Sequence, residues 1–226
     1  MTTSAGSSNP PSVTFSALWQ RSAMKAIEEV FVLADYDNCK AGASREETDA
    51  EAGASLERLF EVVDDLLRSR GMTEVKRVYL YLYGGWLDEK GRPSAESTRI
   101  GRVLPRYRSR KIAASHVTIA TKIALEAFPE RSLIGTRYGG KQKMVDAMLA
   151  LDAAHFATPS DPSRAADRAV VIVSADVDIL PGLVSRRRVP QFLLRLLRRG
   201  ATESRPDTFP HDRVLGEVAE IHSRRS

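Results

Sequence analysis

The chain has 226 residues, of which 42% are hydrophobic and 28% charged, a composition that suits one soluble globular domain and is too short for two large ones. No window approaches the roughly 18 consecutive apolar residues of a membrane-spanning helix, so no membrane partner is expected. The net charge of +5 and the isoelectric point near 9.5 weakly favour a polyanionic partner.

The two ends of the chain differ in composition from its middle. Residues 1–25 are rich in small polar residues and proline and lack the basic and apolar segments of a secretion signal, so they predict a disordered tail. Residues 201–226 are polar and predict a tail or a short helix, which leaves residues 26–200 for the folded domain. Cys39 is the only cysteine, which excludes an intramolecular disulfide and favours a reducing, cytoplasmic location.

Apolar runs alternate with helical patterns along the first half of the domain. Residues 30–34 predict a buried strand, and residues 54–68 carry apolar residues at helical spacing. Residues 75–86, rich in β-branched and aromatic residues, predict a second strand. Residues 93–108 predict a helix that Pro105 kinks or ends.

The second half continues this alternation. Residues 111–120 predict a third strand, residues 143–156 predict a helix that is apolar on almost every side, and residues 169–178 begin as a buried strand. Strands separated by helices predict an α/β fold with a mainly parallel sheet. Residues 189–200 predict a basic amphipathic helix, which leaves open how the sheet is closed after residue 187.

Acidic residues follow the first and last clear strands. Ligand sites in open α/β sheets lie outside the carboxyl ends of the strands. Asp35 ends the first strand there, and Ser174, Asp176 and Asp178 end the last. Asp146 begins the apolar helix, where a buried carboxylate needs a partner; a favourable interaction with the helix dipole is the alternative explanation.

The four carboxylates Asp35, Asp146, Asp176 and Asp178 form a candidate catalytic and metal-binding set. Acids that converge on one sheet edge repel one another unless cations lie among them. Mg²⁺ prefers oxygen ligands and is a common occupant of such pockets. Two divalent ions can activate water and stabilise the leaving oxygen in phosphodiester hydrolysis, a chemistry that suits the basic chain.

Three segments of the chain, "VLADYDN" (32–38), "KMVDAMLALDA" (143–153) and "VIVSADVDILP" (171–181), occur in a characteristic order and spacing. They resemble the signature segments of NYN-domain proteins, which belong to the PIN-like nuclease superfamily. The resemblance covers about residues 28–187. It implies a Rossmann-like three-layer sandwich, a carboxylate pocket for Mg²⁺ or Mn²⁺, and RNA as the usual substrate.

The resemblance also implies roles for residues at matching motif positions. Asp35 would be the central metal ligand, and the amide of Asn38 would orient it or a ligand water. Asp146, Asp176 and Asp178 would complete the pocket as catalytic and metal-binding residues.

Further residues would support the pocket or bind RNA. The resemblance implies that Ser174 positions the metal-binding loop by hydrogen bonding and that Lys143 contacts phosphate. Asp152 matches a recurring acid of the second segment, but it lies six residues after Asp146 and so on another helix face, which favours a supporting role. Charge alone adds Lys141 and Arg137 as RNA-binding residues.

The expected function is that of a metal-dependent ribonuclease, with single-stranded DNA as another possible substrate and the oligomeric state open between a monomer and a homo-oligomer. One alternative is a haloacid-dehalogenase-like phosphatase, with Asp35 as the nucleophile and Asp37 as the acid/base instead of a turn cap. That scheme leaves Asp146 unused and puts Cys39 where threonine or valine is usual. Another alternative is a non-catalytic RNA-binding module of the same fold, although such a module has no need for four repelling acids.

Overall fold

The computed structural model describes residues 27–40, 47–88, 90–112, 115–121, 137–138, 141–142, 144–174, 179, 189–196 and 218–221. Its strands are β1 (Glu29–Asp35), β2 (Arg77–Tyr83), β3 (Lys111–Ile112), β4 (Ser115–Thr121), β5 (Arg137–Tyr138), β6 (Lys141–Gln142), β7 (Arg168–Val173), β8 (Gln191–Leu196) and β9 (Val218–Ile221). Its helices are α1 (Tyr36–Cys39), α2 (Asp49–Ser69), α3 (Ala95–Val103) and α4 (Val145–Phe156), with 3-10 helices at Leu104–Tyr107 and Pro162–Ala165.

The described strands form a seven-stranded sheet in the order β3-β4-β2-β1-β7-β8-β9, with β5 and β6 paired separately. All neighbours from β4 to β9 in this order are parallel, and only β3 is antiparallel, to β4. The predicted α/β fold with a mainly parallel sheet is therefore confirmed, and the architecture is that of a Rossmann-like sandwich. The order reverses between β1 and β7, since the chain builds one half of the sheet outward from β1 and the other outward from β7.

Strand β1 is the centre of the sheet and is buried along its whole length. Parallel strands covered on both faces have continuous apolar runs, which explains the sequence of residues 30–34. Val30, Val32 and Ala34 face the core formed with α2 and α3, whereas Phe31 and Leu33 face the core formed with α4. Alternation along the strand therefore places Asp35 on the α4 face.

Helix α2 begins earlier than the apolar spacing predicts. Thr48 forms a capping box with Glu51, because the Glu51 amide donates to the Thr48 hydroxyl (3.2 Å) and the Thr48 amide donates to the Glu51 carboxylate (2.7 Å). These bonds satisfy the first free amide groups and extend the helix over acidic residues that contribute little to the core. Within the described part of the chain, no helix is long and apolar enough to cross a lipid bilayer.

The amphipathic helix predicted over residues 189–200 is wrong, because residues Gln191–Leu196 form strand β8. Phe192, Leu193 and Leu194 are all buried, and β8 pairs in parallel with β7. Three consecutive buried residues are typical of a strand covered on both faces, whereas a surface helix buries residues three or four apart. In so short a run, periodicity does not distinguish the two patterns.

The tail or short helix predicted over residues 201–226 is wrong for Val218–Ile221, which form strand β9 beside β8. The sheet therefore continues beyond residue 200, the predicted end of the domain. A strand of four residues gives too little alternation for a sequence pattern to reveal it. The predicted tail over residues 1–25 lies outside the described residues.

Candidate metal centre

Asp35 ends β1 at the carboxyl edge of the sheet and is only 4% exposed. Its Oδ2 atom accepts a hydrogen bond from the side-chain amide of Asn38 (2.6 Å). Its Oδ1 atom is buried and has no hydrogen-bond partner among the described residues. Asp35 also precedes α1 but makes no side-chain cap to it. A buried carboxylate oxygen without a partner among the described residues is costly, so the position of Asp35 needs an explanation beyond the turn that it begins.

Asn38 links the two strands on either side of the point where the strand order reverses. Its amide nitrogen, which donates to Asp35 at the end of β1, also donates to the hydroxyl of Ser174 (3.1 Å) directly after β7. Ser174 is 1% exposed, and its backbone amide donates to the carbonyl of Leu194 in β8 (3.1 Å). These contacts fix the orientation of the Asn38 amide, and with it that of the Asp35 carboxylate.

The one-turn helix α1 that carries Asn38 is anchored to α2 by a buried network. The Tyr36 hydroxyl donates to Glu47 (2.8 Å), and the Ser55 hydroxyl donates to the other carboxylate oxygen of Glu47 (2.5 Å). Glu47 is 4% exposed, so both of its oxygens are satisfied by hydrogen bonds rather than by water. The network holds the Asn38 backbone in place relative to the sheet.

Asp146 lies in the first turn of α4, on the same face of the sheet as Asp35. The pKa of Asp35 is raised from 3.8 to about 7, chiefly by burial and then by the charges of Asp146 and Asp37, whereas hydrogen bonding by Asn38 opposes the shift. Helix α4 is less buried than its apolar sequence predicts, because Met144 at its N-cap and Leu151 in its middle are 54% and 68% exposed. Since the charges of Asp146 and Asp37 raise the pKa of Asp35, these carboxylates repel one another. Such repulsion is expected of a site that attracts cations.

Several predicted site residues lie outside the described residues or lack a described side chain. Asp176, Asp178 and Lys143 belong to the first group, and Arg137 and Lys141, whose backbones form β5 and β6, belong to the second. Within the described part of the chain, no group of three or more histidine, cysteine or acidic side chains could hold a metal ion. The roles of these five residues stay predictions.

Asp152 lies near the site but makes a different contact from Asp146. Its carboxylate accepts a hydrogen bond from the Tyr83 hydroxyl (2.6 Å). Tyr83 ends β2 and is the register partner of Asp35, so this bond ties α4 to the sheet beside the site. Burial and the Asp152 charge raise the pKa of Tyr83, so the phenol stays protonated and remains the donor.

Sequence reasoning missed the buried ion pairs of Lys40. Its ammonium contacts the carboxylates of Asp37 and Glu96, and it lies 5.7 Å from the centroid of the Tyr36 ring. The side chains of Lys40 and Glu96 are 11% and 6% exposed. Burial alone would lower the pKa of Lys40, but the two carboxylates outweigh it and raise the pKa. Glu96 lies in a distant helix, so no local spacing could have revealed the pair.

Lys40→Met should lower the free energy of unfolding by about 3–5 kcal/mol, because it removes the ammonium that pairs with the buried carboxylate of Glu96. Chemical denaturation of the folded chain measures this change. Lys76→Met is a matched control, since Lys76 pairs with Glu28 at 2.6 Å and both side chains are well exposed, at 63% and 42%. The control should change stability by less than about 1 kcal/mol. Equal effects of the two substitutions would contradict a stabilising role for the buried pair.

Comparison of the chain with protein-family models, with curated proteins and with solved structures found no significant match. Of the residues in the three sequence motifs, the structure joins Asp35, Asn38 and Ser174 by hydrogen bonds and places Asp146 within electrostatic range of Asp35.

Proposed function

We propose that this protein is a metal-dependent nuclease, with RNA as its principal substrate, and that its fold is the PIN-like fold of NYN-domain proteins. The observation that carries the proposal is the Oδ1 atom of Asp35, which is buried at the carboxyl edge of the sheet and has no hydrogen-bond partner in the part of the chain that the structure describes. It lies where the strand order reverses, which is the usual ligand site of open α/β sheets. The carboxylate of Asp146 on the same face adds a second negative charge.

The residues present fit a hard divalent ion such as Mg²⁺ or Mn²⁺. Such ions take oxygen ligands, and a cation would satisfy the free Asp35 oxygen and relieve the repulsion between the carboxylates. Asp35 and Asp146 would hold it together with Asp176 and Asp178, whose participation rests on the motif resemblance. When bound, the ion supplies positive charge that activates water and stabilises the leaving oxygen of a phosphodiester.

The protein's own side chains orient the site. The Asn38 amide holds one oxygen of Asp35 and leaves the other available, and the Ser174 hydroxyl keeps that amide from rotating. Hydrolysis adds water to phosphorus and breaks one ester bond, which gives a phosphate monoester and a hydroxyl. Lys143, with Lys141 and Arg137, would contact the phosphates and favour the charged transition state.

The environment of Asp37 supports a nuclease over a haloacid-dehalogenase-like phosphatase. In the phosphatase scheme Asp37 would exchange protons with the substrate. In the structure its carboxylate instead forms an ion pair with the buried ammonium of Lys40. The acid/base role is therefore poorly served at this position.

Incubation of the purified chain with labelled single-stranded RNA and Mn²⁺, Mg²⁺ or EDTA tests the proposal. The expected result is cleavage with either metal and none with EDTA. Binding measured in parallel separates the alternatives, because RNA binding without cleavage in either metal would favour the non-catalytic module. Cleavage that persists in EDTA would contradict a metal-dependent mechanism.

A further inference from the structure

Four aromatic rings form a continuous stack on the α4 face of the sheet. Phe31 lies against Tyr79 (ring centroids 5.1 Å apart) and against Phe156 (4.6 Å), and Phe156 lies against Tyr81 (5.2 Å). The rings of each pair are within 13° of parallel. Among the described rings, the order is Tyr79, Phe31, Phe156 and Tyr81, so the two tyrosines of β2 are the outer members of this row.

The ends of this stack reach the surface. Helix α4 packs on β1 and β7, and Phe31 is buried beneath it. Tyr79 and Tyr81 on β2 are only half-buried, and Thr118, the register partner of Tyr79 on β4, is exposed. Both tyrosines pack against the core beneath α4 and are partly exposed beside the helix.

Three arginines lie at the amino end of the same face. Arg77, Arg164 and Arg168 all contact the carboxylate of Glu29, at 3.3, 3.0 and 3.1 Å. Arg168 also lies over the Phe31 ring, 5.4 Å from its centroid. Asp161 is a further carboxylate that interacts with Arg164 and Arg168. Among these three arginines, Arg77 has the fewest described carboxylates near its guanidinium group, and its side chain is 60% exposed.

Side chains at alternate positions of β2 connect this basic cluster to the candidate metal centre. Arg77, Tyr79, Tyr81 and Tyr83 share one face of the strand, and Tyr83 is the register partner of Asp35. Six residues of a strand span about 20 Å. The order along this face is therefore a guanidinium, two half-exposed aromatic rings and then the acidic site.

We propose that a single-stranded nucleic acid lies along this face of β2, with a phosphate at Arg77 and unpaired bases against Tyr79 and Tyr81. From there the nucleic acid continues to the metal centre. Aromatic side chains stack on bases only where the bases are unpaired, and exposed guanidinium groups neutralise phosphates. That the nucleic acid continues toward a reaction site rests on the proposed nuclease function. Its binding along β2 is independent of that function.

Fluorescence anisotropy with labelled oligo(U) in EDTA tests this path without cleavage. Tyr81→Leu should weaken binding about tenfold through lost stacking, while Tyr81→Phe, which keeps the ring, should stay within about twofold of wild type. Arg77→Gln should weaken binding and reduce the slope of log affinity against log salt by about 0.7. Glu29 keeps two other arginine partners in this variant, so the fold should be retained.

Arg68→Gln is the matched control. Arg68 lies on α2, across the sheet from the aromatic stack; its side chain is 66% exposed and pairs with Asp64 at 2.6 Å. This variant should keep both the affinity and the salt slope of wild type. Thermal unfolding of every variant identifies any loss of binding that follows from a loss of structure.

The outcomes separate this path from the nuclease proposal. If Tyr81→Leu binds as tightly as Tyr81→Phe and Arg77→Gln keeps the wild-type salt slope, the path is refuted even if the wild type cleaves RNA with Mn²⁺. If the substitutions weaken binding as expected but the wild type cleaves nothing with either metal, the path stands and the nuclease proposal fails. If Tyr81→Leu does not fold, the Arg77→Gln and Arg68→Gln pair decides the question alone.

Discussion

Asp35→Asn should abolish RNA cleavage while RNA binding is preserved or strengthened. The substitution keeps the shape of the side chain and its contact with Asn38 but replaces the buried Oδ1 atom, which we propose as the central metal ligand. Loss of several kcal/mol of metal-dependent transition-state stabilisation corresponds to about three orders of magnitude in rate. Binding should not suffer, because one negative charge that repels phosphate is removed. Single-turnover cleavage and anisotropy on the same preparation measure both effects.

Asp37→Asn provides the sharpest comparison for this result. Asp37 is a neighbouring carboxylate that also acts on Asp35 electrostatically, but its charge is already paired with Lys40. A nuclease with its metal at Asp35 should keep most of its activity in this variant. A phosphatase with Asp37 as acid/base would lose it. Normal cleavage by Asp35→Asn would show that the site assignment is wrong.

The centre of the sheet could be predicted because the sequences of its strands are distinctive. Continuous apolar runs identify β1 and β7, which are buried on both faces, and β-branched and aromatic residues identify β2. The position of Asp35 at the end of β1 follows from the first of these runs. The outer strands of the sheet could not be predicted from the sequence, for a physical reason. The apolar residues of β8 fit a helix and a strand equally well, and only pairing with β7 decides between them.

In the candidate site, too, residues within short motifs could be predicted, whereas contacts between distant segments could not. The roles expected of Asn38 and Ser174 came from short motifs, and the structure joins both residues to Asp35 in one hydrogen-bonded chain. The ion pair of Lys40 with Glu96 had no comparable signal, because it depends on how α3 packs beside α1. The exposure of Leu151 was equally hidden, since an apolar helix sequence does not show which side the sheet leaves uncovered.

The stability of the metal-free protein should fall as the pH rises, and Asp35 should be a principal cause. Its pKa is about 7 in the folded chain, raised by burial, Asp146 and Asp37, against 3.8 for an ordinary aspartate. Between these values the folded state binds more protons than the unfolded state. The contribution of Asp35 to the free energy of unfolding is therefore complete below about pH 4 and is lost as the pH rises through about 7. The shift corresponds to on the order of 4 kcal/mol.

Comparison of wild type with Asp35→Asn isolates this contribution from those of other titrating groups. In EDTA, the variant should be more stable than wild type above about pH 7, and the difference should disappear toward pH 4, as measured by denaturant unfolding across this range. Mg²⁺ or Mn²⁺ should stabilise the wild type at high pH, since a bound cation offsets the charge of Asp35, and should have little effect on the variant. A stability difference that does not change with pH would show that Asp35 does not ionise in this range. Equal stabilisation of both proteins by metal would show that the ion does not bind at Asp35.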